Sequence, residues 1–348
     1  MKFLDLAKVQ KIYPDGTRAV HGVDLAVDEG EFIVLLGPSG CGKTTTLRMI
    51  AGLEIATGGT IHLGDADVTR EPPSRRDVGF VFQFYALYPH LSVRENIAFP
   101  LEADGVPWRE RIVRVAEVAE AVGVTTLLDA RPRQLLGGDQ QRVSLARAMV
   151  RRPKLWLMDE PLGTLDTAVR ASLGAFIHEQ QRKHRVTTVF VTHDQDEAMH
   201  LADRVVVMEA GHVRQVGTPT EVHDSPASRF VAHFVGSPGM NFLPGQMRGG
   251  LLLVTGQELN LPMPTSSDGE FVIGVRPHWL RLADTGIPGT VVVNEYQGDH
   301  RLLHVRVGEA RLVARVGAEV RLGVGASVQL EIDPQGVRLF DVQTGIAR

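Results

Sequence analysis

Eight residues, Gly37-Pro38-Ser39-Gly40-Cys41-Gly42-Lys43-Thr44, restrict this chain more than any other feature. They follow the apolar run Phe32–Leu36 and lead into Thr45-Thr46-Leu47-Arg48-Met49-Ile50, which reads as strand, glycine-rich turn, then helix. That is the full G-x-x-x-x-G-K-[ST] spacing of a phosphate-binding loop. Glycines let successive backbone N–H groups converge on an anion, and the positive end of the following helix adds to the field. Lys43 is placed to reach β- and γ-phosphates, and the Thr44 hydroxyl to ligate Mg²⁺. A glycine-rich turn alone is ordinary punctuation between elements; the correctly spaced Lys-Thr pair after a strand is not.

The 348 residues leave room for two or three domains, each with its own core. Hydrophobic content of 43% and charged content of 22% are ordinary for a globular chain. A net charge of −4 gives no reason to expect nucleic acid as a partner. The pairs Arg75-Arg76 and Arg151-Arg152 read as solvated surface. No run approaches the ~18 apolar residues that span a bilayer, and Met1-Lys2-Phe3-Leu4-Asp5 does not read as a secretory leader. The single cysteine, Cys41, rules out an internal disulfide and suits a reducing cytosol. Any membrane role is therefore expected to be peripheral.

Short β-rich runs alternate with helix-period runs over residues 1–235, which favours α/β architecture. Trp108, Ile112, Val115, Ala119 and Val122 recur at helical spacing as a candidate buried stripe. Leu155–Met158, Thr187–Val191 and Val205–Met208 are continuous apolar runs, as expected of buried parallel strands. Composition changes at Gly236-Ser237-Pro238-Gly239, where a Gly-, Pro- and Val-rich segment begins. Phe271–Val275, Gly289–Val293, Leu302–Val307, Arg311–Arg315 and Val328–Ile332 predict strands of a small barrel or sandwich over residues 236–348.

Further pieces accompany the loop. Val81-Phe82-Gln83 precedes an aromatic stretch, Tyr85–Val93. Gly137-Gly138 stands before a helical run, offering a second anion-binding N-terminus. Leu155–Met158 ends in Asp159-Glu160, a carboxylate pair where metal coordination and water activation occur in proteins with such loops. Gly163-Thr164-Leu165-Asp166 and Val191-Thr192-His193-Asp194 complete the set.

In that order the motifs resemble the ATP-binding subunit of an ATP-binding-cassette (ABC) importer, in the maltose and glycerol-3-phosphate class of carbohydrate importers. The likeness covers nearly the whole chain, and is nearly word for word over Val81–Pro100 and Val191–Met208. Phe234–Pro244 looks like the usual junction into an OB-like β regulatory domain, and Ile273-Gly274-Val275-Arg276-Pro277 like a piece of it. The resemblance implies ATP and Mg²⁺. Gly37, Ser39, Gly40, Cys41, Gly42, Lys43, Thr44 and Thr45 would hold the phosphates, with Tyr13 stacked on adenine. Thr44, Gln83 and Asp159 would serve the metal, Glu160 would be the general base, and Gln83, His193 and Lys43 would complete the catalytic set.

The same resemblance implies a head-to-tail dimer in which Gly137 and Gly138 close the partner's ATP site. The second ATPase is either another copy or a related subunit. Two transmembrane permeases would dock on Tyr85–Val93 at the cytoplasmic face of the membrane, with a periplasmic or lipid-anchored solute-binding protein acting indirectly. The chain departs from the family in one place that matters. The signature Leu-Ser-Gly-Gly-Gln reads Leu135-Leu136-Gly137-Gly138-Asp139, so a hydroxyl expected on the opposing γ-phosphate is missing. Gly163 also replaces a common serine. Cys41, in a loop of amides beside Lys43, is expected to have a lowered thiol pKa. A DNA-repair or mechanical ABC ATPase would carry a long arm insertion, which this chain lacks. A kinase or GTPase would lack the glycine pair before an arginine-bearing helix.

Overall fold

In the computed structural model, residues 2–248, 251–254, 257–259 and 268–348 are described. The chain folds as two compact units, Met1–Pro219 and Thr220–Arg348.

The first unit is organised by β3 (Phe32–Leu36), which is apolar at every position and fully buried. Such a strand can only sit in the middle of a sheet covered on both faces. It pairs in parallel with β8 (Thr187–Thr192) on one side and β9 (Arg204–Glu209) on the other. β7 (Leu155–Asp159) and β6 (Val78–Val81) extend the sheet beyond β8, and β10 (His212–Gly217) closes the other edge antiparallel to β9. Register then decides what comes together. Leu36 lies opposite Thr192, Val191 opposite Asp159, and Met158 opposite Val81. The phosphate loop, Gln83, the Asp159-Glu160 pair and His193 therefore all emerge from the carboxyl edge of one sheet, where ligands bind in open α/β sheets.

A second, antiparallel sheet, which the alternation of strand and helix does not announce, joins β1 (Lys2–Ile12), β2 (Arg18–Asp28), β4 (Gly58–Leu63) and β5 (Ala66–Asp67) in the order β2-β1-β4-β5. Leu4, Leu6, Val23, Leu25 and Ile61 from this sheet share a core with Leu35, Leu155 and Val189 of the parallel sheet. Helix α1 (Lys43–Ala51) lies in that core through Leu47, Met49 and Ile50. Its C-terminal carbonyls are tied down by Arg76, whose guanidinium donates to Met49 O (2.7 Å) and Ile50 O (2.8 Å). Arg76 is only 5% exposed. The reading of Arg75-Arg76 as solvated surface is thus wrong for Arg76, which satisfies helix-end acceptors that burial would otherwise orphan.

Helices α2 (Val93–Ala103), α3 (Trp108–Ala121) and α4 (Gly137–Met149) follow. A reciprocal Ser92–Glu95 capping box starts α2. The predicted stripe on α3 is half right: Val115, Ala119 and Val122 are buried, but Trp108 is 67% and Ile112 is 41% exposed. The first turns of α3 leave these two side chains uncovered, so periodicity there marks a face without saying what covers it. Helices α5 (Thr167–His184) and α6 (Gln195–Leu201) are N-capped by Asp166 and Asp194.

The second unit opens on α7 (Pro219–Asp224) and α8 (Arg229–Phe234) and continues entirely in strands and 3₁₀ turns among the described residues. One sheet joins β11 (Asn241–Arg248), β12 (Leu251–Val254), β13 (Gln257–Leu259), β14 (Gly269–Val275) and β20 (Val337–Asp341). The other joins β15 (Leu280–Ala283), β16 (Ile287–Tyr296), β17 (His300–Val307), β18 (Ala310–Gly317) and β19 (Ser327–Ile332). Alternate residues of both, among them Leu243, Ile273, Val291, Leu303, Leu312 and Leu330, meet in one core. Arg276 is buried, and its guanidinium donates to the Val235 and His223 carbonyls. Burial lowers its pKa to about 10, which leaves it charged at neutral pH.

Candidate functional site: a phosphate cradle at the carboxyl edge of the sheet

Gly37 must be glycine because a Cβ there would collide with the Met208 carbonyl and stand 2.6 Å from the Cys41 sulfur. Gly42 has φ +100° and caps α1, and a Cβ on it would lie 2.5 Å from the Ala19 carbonyl. Between them Pro38, Ser39 and Gly40 are exposed while Cys41 is buried. The loop thus presents an open ring of backbone above a closed floor. Lys43 is 5% exposed, and its ammonium donates to the carbonyls of Gly37 (2.7 Å) and Pro38 (3.0 Å). Its charge is therefore held within the ring it is expected to serve. At the tip of the β1–β2 turn, half-buried Tyr13 brings its hydroxyl to 3.5 Å from Thr45 Oγ1, with Lys11 Nζ 5.0 Å from the ring centre.

Two chains of contact converge beside the loop. Thr44 Oγ1 donates to Asp159 Oδ1 at 2.7 Å. Gln83 Nε2 donates to Glu160 Oε2 at 3.0 Å, and His193 Nδ1 stands 3.4 Å from the same oxygen. Glu160 adopts φ +45°, an uncommon conformation for a residue with a side chain. The turn is held by its own N–H, which donates to Val191 O at 3.0 Å. Burial raises the Asp159 carboxyl above its ordinary pKa, opposed by the Thr44 hydrogen bond and the nearby Arg48. A carboxylate desolvated in this way gains most from a cation placed next to it.

The structure corrects the expectation for Cys41. Desolvation raises its thiol pKa, outweighing the Lys43 charge that opposes it. The sulfur faces inward under the loop at 3% exposure, so it is a packing group.

Residues 20–163 match the ABC transporter family, 236–278 the MalK OB fold domain and 273–340 the TOBE domain. The sn-glycerol-3-phosphate import ATP-binding protein UgpC of Vibrio vulnificus is 44% identical over 98% of this chain and 94% of its own. The trehalose/maltose import ATP-binding protein MalK of Thermococcus litoralis is 45% identical over 98% of each. Among solved structures, the dimeric post-hydrolysis state of the ATP-binding cassette MJ0796, bound to ADP and Pi, matches at 30% identity. Its TM-score is 0.58, over 62% of this chain and 98% of that one.

The chain belongs to the ATP-binding subunits of ABC importers.

It is an ATPase subunit that binds ATP, of a family whose members work as pairs on membrane permeases. No helix among the described residues is long and apolar enough to cross a membrane. The helix start carrying Gly137 and Gly138 is the other element expected to face phosphate. Here α4 starts at Gly137 with Leu136 as its N-cap, 79% exposed and offering no side-chain bond to the helix. Within the chain Gly137 and Gly138 are not brought to the phosphate loop. A Cβ on Gly137 would stand 3.0 Å from the Tyr85 hydroxyl, and one on Gly138 3.4 Å from Val169.

Sequence reasoning missed the groups that hold the segment after Gln83 in place. Arg147 on α4 donates to the carbonyls of Ala86 (2.6 Å) and Tyr85 (3.1 Å) and lies over the Tyr88 ring. Both carbonyls belong to residues with positive φ, so the arginine fixes the turn that follows Gln83. Asn96, fully buried, accepts from Tyr88 N and donates to the carbonyls of Tyr88, Leu91 and Ser92. The only advance signal was an arginine on a helical run and an asparagine inside an apolar one.

Proposed function

We propose that this subunit hydrolyses ATP within a head-to-tail dimer and thereby drives import of a sugar, polyol or glycerol-3-phosphate through two permeases at the cytoplasmic membrane face. The observation that carries the reading is the convergence of Gln83 and His193 on Glu160 beside the Thr44–Asp159 pair. The solute class rests on the relatives' names. The two domains are assigned as residues 1–235 for the ATPase and 236–348 for the regulatory β-domain.

The Gly37–Thr45 amides, including those of Ser39, Gly40, Cys41 and Gly42, bind the phosphates, and Lys43 turns its ammonium from the loop carbonyls onto them. Tyr13 stacks on the base. Glu160 accepts the proton of the attacking water, which Gln83 orients. His193 donates to the γ-phosphate, adding to the charge stabilisation given by Lys43. The donor set at Thr44 and Asp159 fits Mg²⁺, a hard cation commonly held by one or two protein oxygens plus substrate phosphates, with Gln83 within its second circle. Bound there, Mg²⁺ would neutralise charge on the triphosphate.

The partner's Gly137–Gly138 helix end closes over the γ-phosphate, so ATP joins two protomers and ADP does not. Tyr85–Val93, next to Phe84 at 77% exposure, offers the permease surface. A solute-binding protein delivers cargo from the other side. The test is to purify the subunit with its permeases, identify every ATPase in the complex and reconstitute it in vesicles. ATP-dependent uptake of maltose, a polyol or glycerol-3-phosphate is expected. A complex that hydrolyses ATP yet moves none of them would overturn the solute class.

A further inference from the structure

His193 has little to hold its ring. The side chain is 55% exposed, and its contact with Glu160 is 3.4 Å long. Its position must be set by the backbone on either side, and that backbone is pinned. Thr192 Oγ1 accepts from Asp194 N–H at 2.9 Å and donates to Glu197 Oε2 at 2.6 Å. Asp194 Oδ1 accepts from Glu197 N–H at 3.1 Å. The remaining oxygens of both carboxylates face one guanidinium on another helix. Arg170 Nη1 donates to Asp194 Oδ2 at 2.7 Å, and its Nε lies 3.6 Å from Glu197 Oε1.

The same guanidinium reaches in a second direction. Arg170 Nη2 donates to the Leu165 carbonyl at 3.3 Å, inside the Gly163–Asp166 turn. The far end of that turn is fixed separately, because Asp166 Oδ1 accepts from Val169 N–H. Tyr85 reaches its middle through Thr164. Here α5 and α6 flank a cavity of ≈ 730 Å³ lined by Arg170, Asp194 and Glu197 as well as by Leu162, Gly174 and Leu201. Packing between the two helices is incomplete there, so the link at its edge falls on polar contacts. The Glu197 side chain is 9% exposed, and desolvation raises its pKa. A charged partner for it is therefore a requirement of the fold as well as a link.

We propose that Arg170 is a positioning residue that ties the Gly163–Asp166 turn to the backbone of His193, so that displacement of the turn moves the histidine relative to the γ-phosphate. The inference rests on the assignment of His193 to the triphosphate. It adds a route by which a change at the Gly163–Asp166 turn sets the competence of the cradle.

The experiment measures ATP turnover by the full chain in its complex, together with MgATP affinity and Tm. Arg170→Ala should lower kcat roughly tenfold or more while KM for ATP changes less than about threefold. Asp194→Asn keeps the α6 cap but removes the charge facing Arg170, and should lower kcat in the same direction. Arg170→Lys should restore part of the rate. In a His193→Ala background, Arg170→Ala should cost less than about threefold, because groups acting through one another are non-additive. Losses that multiply across the two backgrounds, or an Arg170→Ala enzyme with wild-type kcat, would overturn the coupling while leaving the site assignment standing. A His193→Ala enzyme with full turnover would overturn both.

Discussion

Beside the phosphate loop, side chains from different elements are tied together: Thr44 to Asp159, and Gln83 and His193 to Glu160. At the signature helix the equivalent tip carries an apolar Leu136, 79% exposed, with Asp139 in the first turn. The first region is determined within one chain, by parallel register. The second lies apart from the phosphate loop within the chain, its glycines facing Tyr85 and Val169. The difference separates what one chain assembles by itself from what the proposed dimer would have to complete: the cradle is whole, and the proposed cap lacks a hydroxyl at Leu136.

The largest expected effect tests the intact side. Glu160→Gln should lower turnover by roughly 10²–10⁴-fold, the range for a positioned general base, while MgATP binding persists. Retained turnover would show that the proton goes elsewhere. Leu136→Ser probes the weak side. It restores a donor to a charged group, worth about 1.5–3 kcal/mol, so closing or turnover should rise roughly ten- to hundredfold. No gain would mean the glycine amides and helix end already suffice, and a complex containing a second, intact-signature ATPase would show a smaller gain than a homodimer. Tyr13→Ala should weaken nucleotide binding by about 1–3 kcal/mol without changing kcat, read by titration with MgATP.

A smaller effect separates function from stability in the cradle itself. Asp159 has its native pKa raised by burial, so the folded state prefers the protonated carboxyl. Its ionisation therefore costs stability as pH rises from the unfolded value through the native one, and the cost is absent below about pH 4. Asp159→Asn, which keeps an acceptor for Thr44, should raise Tm at pH 7 by about 2–4 °C while impairing hydrolysis. The gain should shrink as pH falls toward the unfolded value. An unchanged Tm at all pH values would place the carboxylate in a wetter setting than its 2% exposure implies.

Much of the site was legible in advance because its chemistry is local in sequence. The loop spacing needs only consecutive residues, and Asp159-Glu160 sits directly at a strand end. What stayed hidden depends on who is nearby. Arg76 looked like a surface residue because composition says nothing of the α1 carbonyls it reaches. Cys41 looked activated beside a lysine, but the burial that opposes the charge is a property of the packed loop. Trp108 and Ile112 carry the helical period of a buried stripe and lie in solvent. Arg147 and Arg170 were unremarkable helix residues until the turns they hold appeared around them.

By itself the sequence determined the strand–loop–helix cradle, the order of the motifs and the change to an all-β segment. These follow from φ freedom at glycine, apolar runs and spacing, which act over a few residues. Only the tertiary structure decided which strand ends lie side by side, which charges are buried, and which arginines bridge separate turns. Those outcomes depend on register and desolvation, which arise when distant segments close on one another.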